Sequence, residues 1–124
     1  MNDEDFRKLE VWKLAHELVL DIYAVAKKLP DSDQEFGIAA EICETAIQVP
    51  AGIARSCAFD VGAEFRECME EARMSLRHTD MQLMVLRDMG HLSEPECDRL
   101  LRKGEEVREL LIKRQSSRKK ARKA

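Results

Sequence analysis

Apolar residues recur along this chain at alternating steps of four and three, the spacing of one face of an α-helix. In residues 5–29, Val11, Ala15, Leu18, Ile22, Val25 and Leu29 keep that spacing without interruption. Trp12, Val19, Tyr23 and Ala26 widen the stripe on one side. Pro30 ends the pattern, and Asp31-Ser32-Asp33 reads as a turn. Residues 35–57 carry Ile38, Ile42, Ala46, Val49 and Ile53 on one face, with Ala39 and Ala40 permitting close approach. Pro50 falls inside this segment, where it removes a backbone donor and crowds the preceding turn, so a kink or short break is expected near residues 48–50. After a turn at Phe59-Asp60-Val61-Gly62, with Asp60 as candidate N-cap, residues 62–89 repeat the pattern through Phe65, Met69, Ala72, Leu76, Thr79, Leu83 and Leu86. Gly90 stands where a helix-terminating glycine belongs. Ser93-Glu94-Pro95-Glu96 has the form of a capping box opening a fourth helix, over 94–114, with Cys97, Leu100, Gly104, Val107 and Leu111 on its inner face.

Four long helices joined by short turns pack as antiparallel neighbours. No segment alternates with period two. The expected fold is all-α: an antiparallel up-down-up-down four-helix bundle, helix 2 kinked near Pro50, formed by residues 1–112 and followed by a tail over 113–124. Helix 1 carries two adjacent apolar stripes where one broad seam would serve a lone bundle. Trp12, Val19 and Tyr23 are therefore candidate anchors of an oligomer interface. The other reading sinks the whole broad face into the bundle.

Charge divides the chain unevenly. The net charge is −3. Lys113, Arg114, Arg118, Lys119, Lys120, Arg122 and Lys123 follow one another with no intervening acid. Removing these seven from 21 Lys+Arg leaves 14 against 24 Asp+Glu, a formal −10 for the body. Such a tail is either a solvated, frayed helix end or a patch for salt-sensitive, sequence-blind contact with RNA or DNA. The longest uncharged run is the ten residues 45–54, about half a bilayer span, and the opening residues are acidic, so no membrane association and a cytoplasmic location are expected.

Chemistry is sparse. The four cysteines, at 43, 57, 68 and 97, form no CxxC pair and read as reduced, buried thiols. A di-iron bundle needs two Glu-x-x-His motifs, and the nearest approach is a single Asp88-x-x-His91 at a helix end. No glycine-rich loop or GxSxG occurs. Glu64, Glu67, Glu70 and Glu71 interleave with Arg66, Arg73 and Arg77 as on a solvated or subunit-facing helix surface. Neither an enzyme nor a cofactor is expected.

Phe6-x-x-Leu9-x-Val11-Trp12-x-x-Ala15-His16, Phe36-Gly37, Val49-Pro50-Ala51 with Ile53-Ala54, Glu64-Phe65, Ala72, Ser75-Leu76 and Gly90-x-Leu92-Ser93 occur in order over residues 6–112. Together they resemble the 23S rRNA-intervening-sequence protein family. The resemblance implies a four-helix bundle assembling as a homopentameric ring, with no established enzyme activity. It also implies kinship with the accessory proteins of diversity-generating retroelements, which bind nucleic acid and a reverse transcriptase through basic surface. The chain departs from the family pattern at Gly52, Arg55 and Ser56, where Asn, Glu and Gly are usual, and at His78, which replaces an acid.

Two readings of function follow. One is a non-enzymatic oligomeric adaptor contacting RNA or DNA, and a reverse-transcriptase-like partner, through the basic tail. The other is a structural protein-interaction scaffold that ignores nucleic acid.

Overall fold

The computed structural model describes residues 4–30 and 37–123, with side chains as far as residue 118. The turn at 31–33, Glu35 and Phe36 lie outside the described residues. A short 3-10 turn, Phe6–Lys8, precedes four α-helices: α1 (Glu10–Lys27), α2 (Ile38–Ser56), α3 (Ala63–Asp88) and α4 (Glu94–Lys123). No strand occurs among the described residues. Helix α1 packs on α2, α2 on α3, α3 on α4, and α4 back on α1, while the diagonal pairs barely touch. This is the antiparallel up-down-up-down four-helix bundle expected from the periodicity.

The predicted seams form the core. Val11, Ala15, Leu18, Ile22 and Leu29 from the first segment are buried, as are all seven positions of the α3 seam and all five of the α4 seam. Val25 packs against the core from a half-buried position. Helix α2 runs unbroken through Pro50, whose ring is buried, so no break occurs at residues 48–50. Its Gly52 sets the spacing to α3: a Cβ there would stand 3.1 Å from both the Ala72 Cβ and the Cys68 carbonyl oxygen.

The ends of the helices show where local chemistry overrode the simplest expectation. Helix α1 starts at Glu10 rather than at residue 5, because the Asp5 carboxylate accepts from the Arg7 backbone N–H (3.0 Å) and guanidinium and so closes a separate 3-10 turn. Asp60 does not cap α3. Gly62, at φ +105°, takes that place. At the other end Gly90, at φ +83°, completes a Schellman motif: its N–H donates to the Arg87 carbonyl (3.0 Å), and the His91 N–H to that of Leu86 (2.9 Å). The capping box is half made. Ser93 Oγ accepts from the Glu96 N–H (3.3 Å), but the Glu96 carboxylate is engaged by Arg99 at 2.6 and 3.1 Å. Lys103 and Arg99 reach Asp21 at 2.7 and 3.3 Å and tie α4 to α1.

The largest departure is at the C-terminal side. Helix α4 continues as one helix to Lys123, past the expected end at residue 114.

Candidate functional site

Three groups of residues carry the candidate functions. The first is the basic run of α4. Arg114 and Arg118 are not solvated. They are one helical turn apart on the inner side of α4, and both guanidiniums lie over the Phe65 ring, 5.3 and 5.4 Å from its centroid. Both converge on one oxygen of Glu4: Arg114 Nη2 donates to Glu4 Oε1 at 2.6 Å, and Arg118 Nη2 donates to the same atom. Arg114 Nη2 also reaches Ser56 Oγ (3.2 Å) and Cys57 Sγ (3.6 Å), while Arg118 Nη1 donates to the Asp60 carbonyl (3.1 Å). The Arg114 side chain is only 10% exposed. Burial pushes the Glu4 carboxyl up, but the hydrogen bonds and charges of the two arginines outweigh it and hold it below the usual carboxylate range. Of the seven cations proposed to meet a polyanion, these two are thus turned inward. Lys113 is exposed. The side chains of Lys119, Lys120, Arg122 and Lys123 lie outside the described residues. A signal for the inward pair was present in the sequence: after Cys97, Leu100, Gly104, Val107 and Leu111, the same steps of three and four land on Arg114 and Arg118.

The second group is the trio on α1. Val19, at 7% exposure, belongs to the protomer's own core. Trp12 is half-buried and lies between Phe6, 5.1 Å away between ring centroids, and His16, stacked at 4.8 Å. Tyr23 alone is exposed, beside the more open Leu20.

The third group went unrecognised in the sequence. The outward face of α3 presents Met74, 70% exposed, with Met81, Met84, Val85 and Met89. Met74, Met81 and their neighbours Arg73, Arg77 and His78 line an open groove of about 960 Å³ that α4 rims with Glu105 and Arg108. Glu70 and Arg73 pair at 3.3 Å, and Glu105 pairs with Arg108. Against the charge-rich background of this helix, methionines seven residues apart were the available signal. Asp80 lines the groove with one oxygen, Oδ1, buried and without a hydrogen-bond partner. Burial, and then the charge of Glu105, push its carboxyl up to about 6 against the pull of Arg77 and Arg108.

Among the described residues, no group of three or more His, Cys, Asp or Glu is placed to hold a metal ion. All four cysteines are free thiols, and burial pushes each of them up, away from the reactive thiolate. No helix of the described residues is long and apolar enough to cross a membrane.

The positions that depart from the family pattern each have a local account. Gly52 lies at the α2–α3 contact, Arg55 pairs with Glu71 at 2.8 Å across the same two helices, and Ser56 is buried, donating to the Ile53 carbonyl at 2.6 Å. His78 lines the α3 groove.

No curated protein matches the chain significantly. Its fold is similar to the crystal structure of a protein of unknown function from the S23 ribosomal protein family of Bacteroides thetaiotaomicron. That match has a TM-score of 0.77 at 19% identity, and covers 86% of this chain and 95% of the other. At that identity the likeness speaks to fold alone. Residues 7–113 match the family described as 23S rRNA-intervening sequence protein, nearly the whole of the bundle. The chain belongs to the 23S rRNA-intervening sequence protein family.

Proposed function

We propose that this protein is a non-enzymatic oligomeric adaptor, whose copies associate head to tail through the methionine face of α3. The observation that carries the reading is the exposed row Met74, Met81 and Met84 along the open groove, with Met89 exposed at the end of the helix, an adaptable apolar surface of the kind that proteins use for partners. A second apolar spot, Leu20 and Tyr23, lies on α1, which is diagonal to α3 and so faces the opposite way. Two different patches on opposite sides favour a heterologous contact, which closes into a ring when the rotation between successive copies closes and otherwise runs on as a filament. A homopentamer, as the family resemblance implies, is such a ring. Of the three α1 candidates, Tyr23 is the one this reading places at the interface.

Contact with RNA or DNA, and with a reverse-transcriptase-like partner, belongs to the same proposal and rests on Lys113 and the cations at 119, 120, 122 and 123. Its support is the kinship with retroelement accessory proteins that the sequence resemblance implies, together with the helical continuation of α4 through those positions.

The test is the mass of the full chain by light scattering on a sizing column. We expect about five times the 14.3 kDa protomer. Met81→Glu and Leu20→Glu, both at exposed positions, should keep the helical circular dichroism and reduce the mass to that of a monomer. A wild-type monomer, or a mass indifferent to both substitutions, would end the proposal.

A further inference from the structure

The contact between the N-terminal segment and the end of α4 leaves one of its buried donors unmet. Two guanidiniums share a single carboxylate oxygen, Glu4 Oε1. Arg114 Nε, buried under the same contact, has no hydrogen-bond partner among the described residues. A buried guanidinium donor left unmet is costly, and Glu4, reaching the arginines through one oxygen, does not satisfy it. A phosphate group brings more oxygens in a tetrahedral array and suits two converging arginines better. The surroundings are already shaped for it. Both guanidiniums lie over the Phe65 ring, Ser56 Oγ lies 3.2 Å from Arg114 Nη2, and the Asp60 carbonyl holds Arg118 Nη1 at 3.1 Å.

The present occupant is held chiefly through its side chain. Glu4 precedes the 3-10 turn in a non-helical stretch, and among the described residues its backbone tether is one bond, from its N–H to the Cys57 carbonyl at 3.3 Å. Such a segment opens far more readily than a packed helix. The arginines, by contrast, project from a continuous helix and stack on a buried ring.

We infer that Arg114, Arg118 and Phe65 form a phosphate-binding site in which the Glu4 carboxylate stands in for an external phosphate group. Glu4 is then an internal competitor, and an anion enters by displacing it. The site neighbours Lys113, so the phosphate of a polynucleotide and that of a small phosphate ester are the two sources of the same chemistry. The inference does not depend on self-association, and a monomer would leave it standing.

The experiment titrates the full ¹⁵N-labelled chain with inorganic phosphate and, separately, with a 15-nucleotide single-stranded RNA, following the Arg114 Nε–H and Glu4 amide resonances. Glu4→Gln keeps an acceptor for the arginines while removing the competing charge. A competitor that fills the site nine-tenths of the time weakens apparent affinity about tenfold, so this variant should bind phosphate about tenfold more tightly than wild type. Adding Arg114→Gln to Glu4→Gln should abolish the gain, and adding Arg114→Lys should keep part of it, with thermal melts showing all variants folded. A response to both probes assigns the site to nucleic-acid phosphate, and a response to inorganic phosphate alone assigns it to a small phosphate ester. Equal phosphate affinity in wild type and Glu4→Gln, or a gain that survives Arg114→Gln, would overturn the inference.

Discussion

Asp80 carries the least comfortable charge in the bundle. Its Oδ1 is buried without a partner, close against Gly104, where an added Cβ would meet it at 3.1 Å. A carboxyl raised to about 6 in the fold, from an ordinary 3.8, binds its proton more tightly folded than unfolded. Its contribution to stability is therefore full below pH 3.8 and is lost as pH rises through 6. Complete burial would set that loss at about 3 kcal/mol. The side chain is only partly buried, and solvent screening reduces the figure to about 1 kcal/mol. Asp80→Asn should stabilise the protein by that amount in urea unfolding at pH 8 and by nothing at pH 4. Equal gains at both pH values would show that the charge is not the cause. Nothing in the sequence marked Asp80, since it is one carboxylate among 24 acidic residues and its burial depends on where α4 crosses.

At the scale of the elements, α2 and α3 are in close contact at Gly52. Its missing side chain leaves the Ala72 Cβ and the Cys68 carbonyl only 3.1 Å from where a Cβ would stand. Helix backbone cannot withdraw as a flexible side chain can, so Gly52→Val should cost about 2 kcal/mol or more in chemical denaturation. A loss under 0.5 kcal/mol would mean that the helices separate freely. The same contact explains what was legible beforehand. The α3 seam was read correctly because Phe65, Met69, Ala72, Leu76, Thr79, Leu83 and Leu86 keep steps of four and three without interruption. The course of α4 beyond residue 112 was not, because its inward positions are arginines. Arg114 and Arg118 satisfy the helical spacing but not the apolar pattern by which cores are usually recognised, and they become buried only because Phe65, Glu4 and Ser56 come from three other parts of the chain. The methionine face of α3 was missed for the opposite reason: its residues are apolar, and only the bundle shows that they point outward.

For the whole molecule, one end of the bundle is closed by contacts between segments far apart in sequence. The Glu4–Arg114 bond spans 110 positions, and Arg114 covers the Cys57 thiol, which is 2% exposed. Removing residues 113–124 should therefore cost about 2 kcal/mol, the scale of a charge-assisted hydrogen bond with its stacking partner. The same deletion should make Cys57 react with a thiol reagent under native conditions, where in the full chain only the half-buried Cys43 responds readily. An unchanged thiol count after the deletion would show that Arg114 does not shield this end.

The chain's one tryptophan lies at that same end, in the first turn of α1 between Phe6 and His16. Its emission is thus a resident optical gauge of a single end of the bundle, while far-ultraviolet circular dichroism averages over all four helices. When the two signals change together on heating or in denaturant, the bundle melts as one unit. When the fluorescence moves first, the closed end has opened while the rest of the fold still stands.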